Sequence, residues 1–193
     1  MRKLVFIACA LATFSLAANS SFADNIAGKL GVTGKIGVLI PADGDFGPFK
    51  NHTDAGFIGG GGLIYGIDKN FAAEIDITRS SVDSDFGAFG VTNLSLGGQY
   101  RFALSSQPKL VPYVGAGLDI LFNDADQGLR VDNTVGVHAS GGIDFFIMKQ
   151  LALTAETKLV VAPDADIKGP SGKLGNFDPT SLSGTFGVRY FFN

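Results

Sequence analysis

Tryptophan is absent from this 193-residue chain, cysteine occurs once and histidine twice. The single cysteine, Cys9, lies close to the start, so a disulfide framework is excluded, as is thiolate chemistry in any product that loses this segment. His52 and His138 stand far apart with no cysteine to join them, which argues against a zinc site. No run of Lys and Arg occurs, and the formal net charge is -3 with a pI of about 5.2. Nucleic-acid binding therefore lacks its electrostatic footprint. After Ala23 no apolar run approaches the roughly 20 residues that a spanning helix needs. Gly59-Gly60-Gly61-Gly62 is followed by neither Lys-Ser nor Lys-Thr, so it is no phosphate loop, and no cofactor motif is found. Glycines there permit curvature or the close approach of another group.

The first residues read as a targeting segment. Arg2 and Lys3 give a positive start, and Leu4 to Ala18 is apolar apart from Thr13 and Ser15. Ser21-Phe22-Ala23 then offers the small residues that a signal peptidase reads, which assigns residues 1–23 to a signal peptide and 24–193 to the barrel domain. A membrane anchor would need a longer apolar stretch and stop-transfer charges. A lipoprotein cut at Cys9 would leave too little apolar sequence before it.

What is present is oily and flexible. Hydrophobic residues make up 46%, mean hydropathy is +0.26, and there are 27 Gly and 17 Phe. An oily chain without spanning helices is expected of a transmembrane barrel, whose apolar residues are spread over every second position.

The alternation is clear. From Lys29 to Ile40, one face carries Leu30, Val32, Gly34, Ile36, Val38 and Ile40, and the other Lys29, Gly31, Thr33, Lys35, Gly37 and Leu39. A helix would scatter these residues around its axis, whereas a strand separates them. The same test predicts strands over residues 55–67, 71–79, 89–102, 112–122, 134–147, 151–160 and 182–192. The connections alternate in length. Residues 68–70 and 148–150 are tight turns and 103–111 is of moderate length, whereas 41–54, 80–88, 123–133 and 161–181 are long. Short periplasmic turns and long outer loops are the rule for outer-membrane barrels. The predicted fold is all-β, an eight-stranded antiparallel transmembrane β-barrel with both termini in the periplasm. A soluble β-sandwich would need neither this alternation of loop length nor apolar outward faces in every strand.

Three stretches resemble the OmpW family: Pro112-Tyr113-Val114-Gly115-Ala116-Gly117, Gly141-Gly142-Ile143-Asp144-Phe145-Phe146, and Phe177-Asp178-Pro179 with Gly187-Val188-Arg189-Tyr190-Phe191-Phe192. The Asp-Pro before the last strand is the more specific of these. The resemblance implies an eight-stranded barrel in the outer membrane, with a narrow, partly apolar channel for small hydrophobic molecules. Phe186, Val188, Tyr190 and Phe192 give the alternating apolar end usual in outer-membrane barrels, and Asn193 follows.

Strand parity turns many charges inward: Lys29, Lys35, Arg101, Lys158 and Arg189 against Glu74, Asp76, Asp119, Asp144 and Glu156. An unpaired charge inside a narrow barrel is very costly, so mutual pairing is expected, with Glu156 and Arg189 in one network. Such a network reads first as a structural polar filling. Lys29, Glu74, Asp76, Arg101, Asp144 and Arg189 fall toward the periplasmic ends of their strands. The inward residues nearest the outer ends include Leu39, Ile58, Val91, Leu121 and Val160. Together they describe an apolar cup above a charged floor, either a ligand site or packing beneath folded loops.

No catalytic role is predicted. Paired carboxylates suit glycoside hydrolysis, but so narrow a barrel leaves no substrate cleft. His138-Ala139-Ser140 resembles the His-x-Ser pair of a lipid A deacylase family, in which the catalytic residues face the lipid; here parity turns them inward. Each long loop carries an Asp pair: Asp43 and Asp45, Asp83 and Asp85, Asp124 and Asp126, Asp164 and Asp166. Asp favours turns, and calcium loops need more ligands at tighter spacing, so turn chemistry is the preferred reading over a metal site. The expected partners are membrane lipid, lipopolysaccharide and small hydrophobic solutes. The leading function is passive passage of such solutes; the alternative is a structural or surface barrel contacting lipopolysaccharide, phage or host.

Overall fold

A computed structural model describes residues 26–42, 44–46, 49–51, 55–84, 87–104, 106–125, 130–169 and 172–192. The segment expected to be a signal peptide, His52, Asp43, Asp85 and Asp126 lie outside them. The strands in chain order are β1 (Leu30–Pro41), β2 (Gly44–Phe46), β3 (Phe49–Asn51), β4 (Gly56–Gly66), β5 (Phe71–Ser84), β6 (Gly87–Arg101), β7 (Leu110–Ala125), β8 (Arg130–Val131), β9 (Thr134–Phe146), β10 (Leu151–Val161), β11 (Ala165–Gly169), β12 (Gly172–Phe177) and β13 (Ser181–Phe191).

Eight of them close into an antiparallel barrel in the order β1-β13-β10-β9-β7-β6-β5-β4. β1 closes the ring: Gly34 lies opposite Val188 of β13 and opposite Gly61 of β4. Closure leaves no sheet edge with unpaired N–H and C=O groups, each of which would cost several kcal/mol in hydrocarbon. All eight predicted barrel strands form, with ends shifted by a few residues.

The faces separate as the alternation requires. Ile36, Phe57, Leu96, Val135 and Phe186 are among the apolar side chains left exposed, while Lys35, Asp76, Asp119 and Arg189 are buried. In water such an outer face would be an aggregation hazard; in lipid it is the solvent-matched surface. Aromatic pairs gather toward the periplasmic rim. Tyr100 packs edge-on against Phe71 and Phe102, with centroids 5.0 Å apart in both pairs, and Tyr190 packs edge-on against Phe192 at 5.2 Å. Rings at this level suit a membrane–water interface.

The outer connections differ from the sequence reading. Residues 80–88 do not form a long loop: β5 and β6 stay paired out to Ser84 opposite Gly87. Backbone ladders satisfy their own polar groups whatever the side chains, so a Ser- and Asp-rich segment continues as ribbon. The other three long connections contribute β2, β3, β8, β11 and β12, which form a second sheet in the order β3-β2-β12-β11-β8.

Candidate functional site

Inward side chains leave a narrow cavity at the outer end of the barrel. Its empty space, open mouth included, is about 650 Å³. Leu39, Ile58, Val91, Leu121 and Val160 all border it, with Pro41 and Pro179 among the residues of its wall. Leu121 and Val160 pack with Ala162, and half-buried Val91 rests against them. The wall is less apolar than the sequence reading expects. Thr78, Ser80, Asn93, Ser181, Ser183 and Thr185 also line it, because β5 and β13 turn small polar residues to this part of the inner face. The floor is made by Lys35, Glu156 and Lys158.

Below the cup lies a layer of paired charges. Lys35 Nζ donates to Asp76 Oδ2 at 2.7 Å and to Glu156 Oε1 at 3.3 Å. Arg189 donates to Glu74 at 2.9 Å, to Asp144 at 2.9 Å and to the Thr33 hydroxyl at 3.0 Å. Arg101 donates to the same Asp144 oxygen at 2.7 Å. Lys158 donates to Ser95 at 3.2 Å and lies 3.8 Å from Asp76 Oδ2. Asp119 accepts from Asn93 at 2.7 Å and from Ser95. His138 Nδ1 lies 2.6 Å from the other Asp119 oxygen. Gln99 donates to Glu74. Glu156 and Arg189 do not touch but share Tyr113. Its hydroxyl donates to Glu156 at 3.1 Å, and Arg189 Cζ lies 5.6 Å from its ring centre. Lys29 precedes β1, half-buried in the turn at the periplasmic rim, where its N–H bonds the Ile26 carbonyl at 2.9 Å.

Sequence reasoning passed over Tyr113, the ring on which Arg101 and Arg189 both rest. The signal was available: Val114 and Ala116 face outward, so Tyr113 faces inward. Glycine makes the room for it. A Cβ at Gly142 would lie 2.4 Å from the Tyr113 ring. In the tetraglycine run, a Cβ at Gly62 would lie 2.1 Å from Asp76 Oδ1.

A second seal, apolar, lies at the periplasmic end. Ile26, Ile64, Ala72, Val111, Phe146, Ala152 and Phe191 form one buried cluster, with the two phenyl rings stacked at 5.8 Å. The straight path through the barrel is thus filled twice, by charge and then by hydrocarbon.

This architecture has close counterparts. The outer membrane protein beta-barrel domain family matches residues 6–192. The chain belongs to this family. It is an outer-membrane β-barrel, embedded in the lipid of that membrane. Among solved structures, the outer membrane protein OprG from Pseudomonas aeruginosa is 16% identical with a TM-score of 0.72, over 89% of this chain and 99% of that one. Neisserial surface protein A is 17% identical with a TM-score of 0.62, over 84% and 97%. The E. coli outer membrane protein W is 19% identical with a TM-score of 0.52, over 86% and 98%, in keeping with the OmpW-like stretches. At these identities the likeness is one of fold. No curated protein matches the chain.

The Asp-Pro of this outer-membrane barrel has a definite local task. Asp178 accepts the Thr180 N–H at 2.9 Å, Pro179 is buried at the cup's wall, and Thr180 N–H and hydroxyl fix the approach to β13. His138 and Ser140 border a small inner cavity of about 10 Å³ together with Glu74, Asp76, Gln99 and Lys158. Of the acidic pairs, Asp164 is exposed, and the Asp166 carbonyl accepts the Asp132 N–H at 3.2 Å. Among the described residues no group of three His, Cys, Asp or Glu is gathered to hold a metal ion.

Proposed function

We propose that this protein admits small hydrophobic molecules from outside into the cup and releases them sideways into the outer leaflet. The observation that carries the reading is a set of five apolar side chains in the cup's wall above a closed floor: Leu39, Ile58, Val91, Leu121 and Val160 above Lys35, Glu156 and Lys158. A hydrophobic solute would lose favourable burial on entering the charged layer. Eight strands leave room for side chains or one small ligand, not a wide aqueous pore.

The sideways barrier is thinner. β9 pairs with β7 out to Thr134 opposite Leu121, but with β10 only out to Val137 opposite Val161. Beyond that point the Ala162 N–H is 3.4 Å from the Thr180 hydroxyl, which lies 3.3 Å from the Ala162 carbonyl. Ala162 packs on Leu121 and Val160, so this seam adjoins the cup.

The test is uptake of a small apolar probe into liposomes carrying the protein. Leu39→Asp and Leu121→Asp place a charge in the wall and abolish uptake; normal uptake by both variants would overturn the reading. For the exit, a Cβ at position 136 would lie 2.9 Å from that of Ala162. A small shift brings this to the disulfide spacing of about 3.5–4.5 Å. The Gly136→Cys, Ala162→Cys variant transports when reduced and stops when oxidised. The loop sheet favours a second reading, in which the outer surface contacts lipopolysaccharide, phage or host and nothing is carried. Uptake no faster than in protein-free liposomes selects it.

A further inference from the structure

We infer that the cup's ligand is amphipathic, an unbranched apolar chain ending in a carboxylate, and that the Lys158 ammonium receives that carboxylate. This rests on the cup being a binding site and names the chemistry that fits it.

The four buried cations of the layer are not equally satisfied. Lys35 has carboxylate oxygens at 2.7 and 3.3 Å. Arg101 has one at 2.7 Å, and Arg189 has two at 2.9 Å. The nearest carboxylate oxygen to Lys158 is Asp76 Oδ2 at 3.8 Å, beyond hydrogen-bond length, and that oxygen already accepts from Lys35. Of its three N–H donors, Lys158 places one on the Ser95 hydroxyl at 3.2 Å. The Lys158 residue is 9% exposed, so water replaces the missing acceptors poorly.

Lys158 also stands where a ligand's end would arrive. It borders the cup on one side and the inner cavity on the other, as the partition between them. Above it Leu39, Ile58, Val91, Leu121 and Val160 stand among small polar residues, and the cup is narrow, which suits a single extended chain. A carboxylate there gains charge-assisted hydrogen bonds in a place of low dielectric. Glu156 is the one carboxylate among the described residues lining the cup, and a cationic head would find it engaged by Lys35 and the Tyr113 hydroxyl.

The experiment compares carboxyl-labelled decanoate with 1-decanol on the full chain in lipid nanodiscs, with empty nanodiscs subtracted. The wild type binds decanoate more tightly than decanol. Lys158→Met weakens decanoate at least about tenfold, the scale of a charge-assisted hydrogen bond, and changes decanol far less, so the preference for decanoate is lost. Lys158→Arg keeps the preference. Asp76 retains Lys35 in both variants, and folding is checked by heat-dependent gel migration. Decanoate binding unchanged in Lys158→Met, or a wild-type preference for decanol, overturns the inference and leaves the uptake reading standing. Failure of the wild type to bind either probe overturns both.

Discussion

Arg189 and Asp144 form an ion pair that solvent does not reach: Nη1 lies 2.9 Å from Oδ2, with side chains 1% and 0% exposed. Arg189 also crosses the barrel to Glu74, and Asp144 is shared with Arg101. Breaking such a pair from one side is costly because a buried charge is left behind. Arg189→Leu is expected to destabilise the barrel by about 3–5 kcal/mol, as urea unfolding from lipid vesicles would measure. Asp144 keeps Arg101, so Glu74 is the stranded partner. Adding Glu74→Leu should therefore recover part of the loss. A double variant no more stable than Arg189→Leu would show that this pairing is not what Arg189 supplies.

Gly142 is fixed by its neighbours. A Cβ there would meet the Tyr113 ring at 2.4 Å and the Ala155 carbonyl oxygen at 2.6 Å. Gly142→Ala should cost about 1–3 kcal/mol, the usual scale of overpacking. Tyr113→Leu removes the ring contact but not the carbonyl, so the double variant should lose less than the sum of the singles. Strict additivity in vesicle unfolding would rule out a contact between the two positions.

Parity made the barrel and most of the interior legible. A period of two puts Lys35, Asp76, Asp119 and Arg189 on the inner face without any knowledge of loops. Height within the barrel was harder. Lys29 shares the parity of Lys35 but lies at the rim, because β1 begins at Leu30. Phe146 and Phe191 also had inward parity, yet an interior read as polar left no place for an apolar plug. The second sheet was hidden for another reason. Its strands are two to six residues long, too short for a period, and their pairing is set by neighbours distant in sequence.

The turn between β4 and β5 gives a pH-dependent prediction. Asp68 Oδ1 accepts the Asn70 and Phe71 N–H groups, both at 2.7 Å. These bonds hold its carboxyl below the ordinary 3.8. The unfolded chain then takes up the proton more readily than the folded one. The Asp68 contribution is complete above its ordinary value and fades as pH falls through the depressed one. The stability gap between wild type and Asp68→Ala should narrow on acidification across that window. The gap between Asp68→Asn and Asp68→Ala should not, since the amide does not titrate. A wild-type gap that stays constant with pH would refute the role of the ionised carboxylate.

The interior holds two seals in series, and conductance separates them. One is the charged layer, where Arg189, Glu74, Asp144 and Tyr113 fill the bore. The other is the stacked Phe146 and Phe191 with Ile26 and Ile64 beneath it. Resistances in series add, so either seal alone keeps ions out. In planar bilayers the wild type should conduct poorly. Phe146→Ala with Phe191→Ala should remain closed, because hydrated ions still meet the charged layer. Glu74→Ala with Arg189→Ala removes a balanced pair, leaves the net charge unchanged, and should also remain closed, because the apolar plug cannot solvate an ion. Only the four changes together should open a steady conductance. Each Phe→Ala change costs about 3–5 kcal/mol of packing, so gel migration must first show a folded barrel. An open channel in the Phe variant alone would mean that the charged layer passes ions. In that case the case for sideways release would lose its main physical support, since a solute could follow the same straight path.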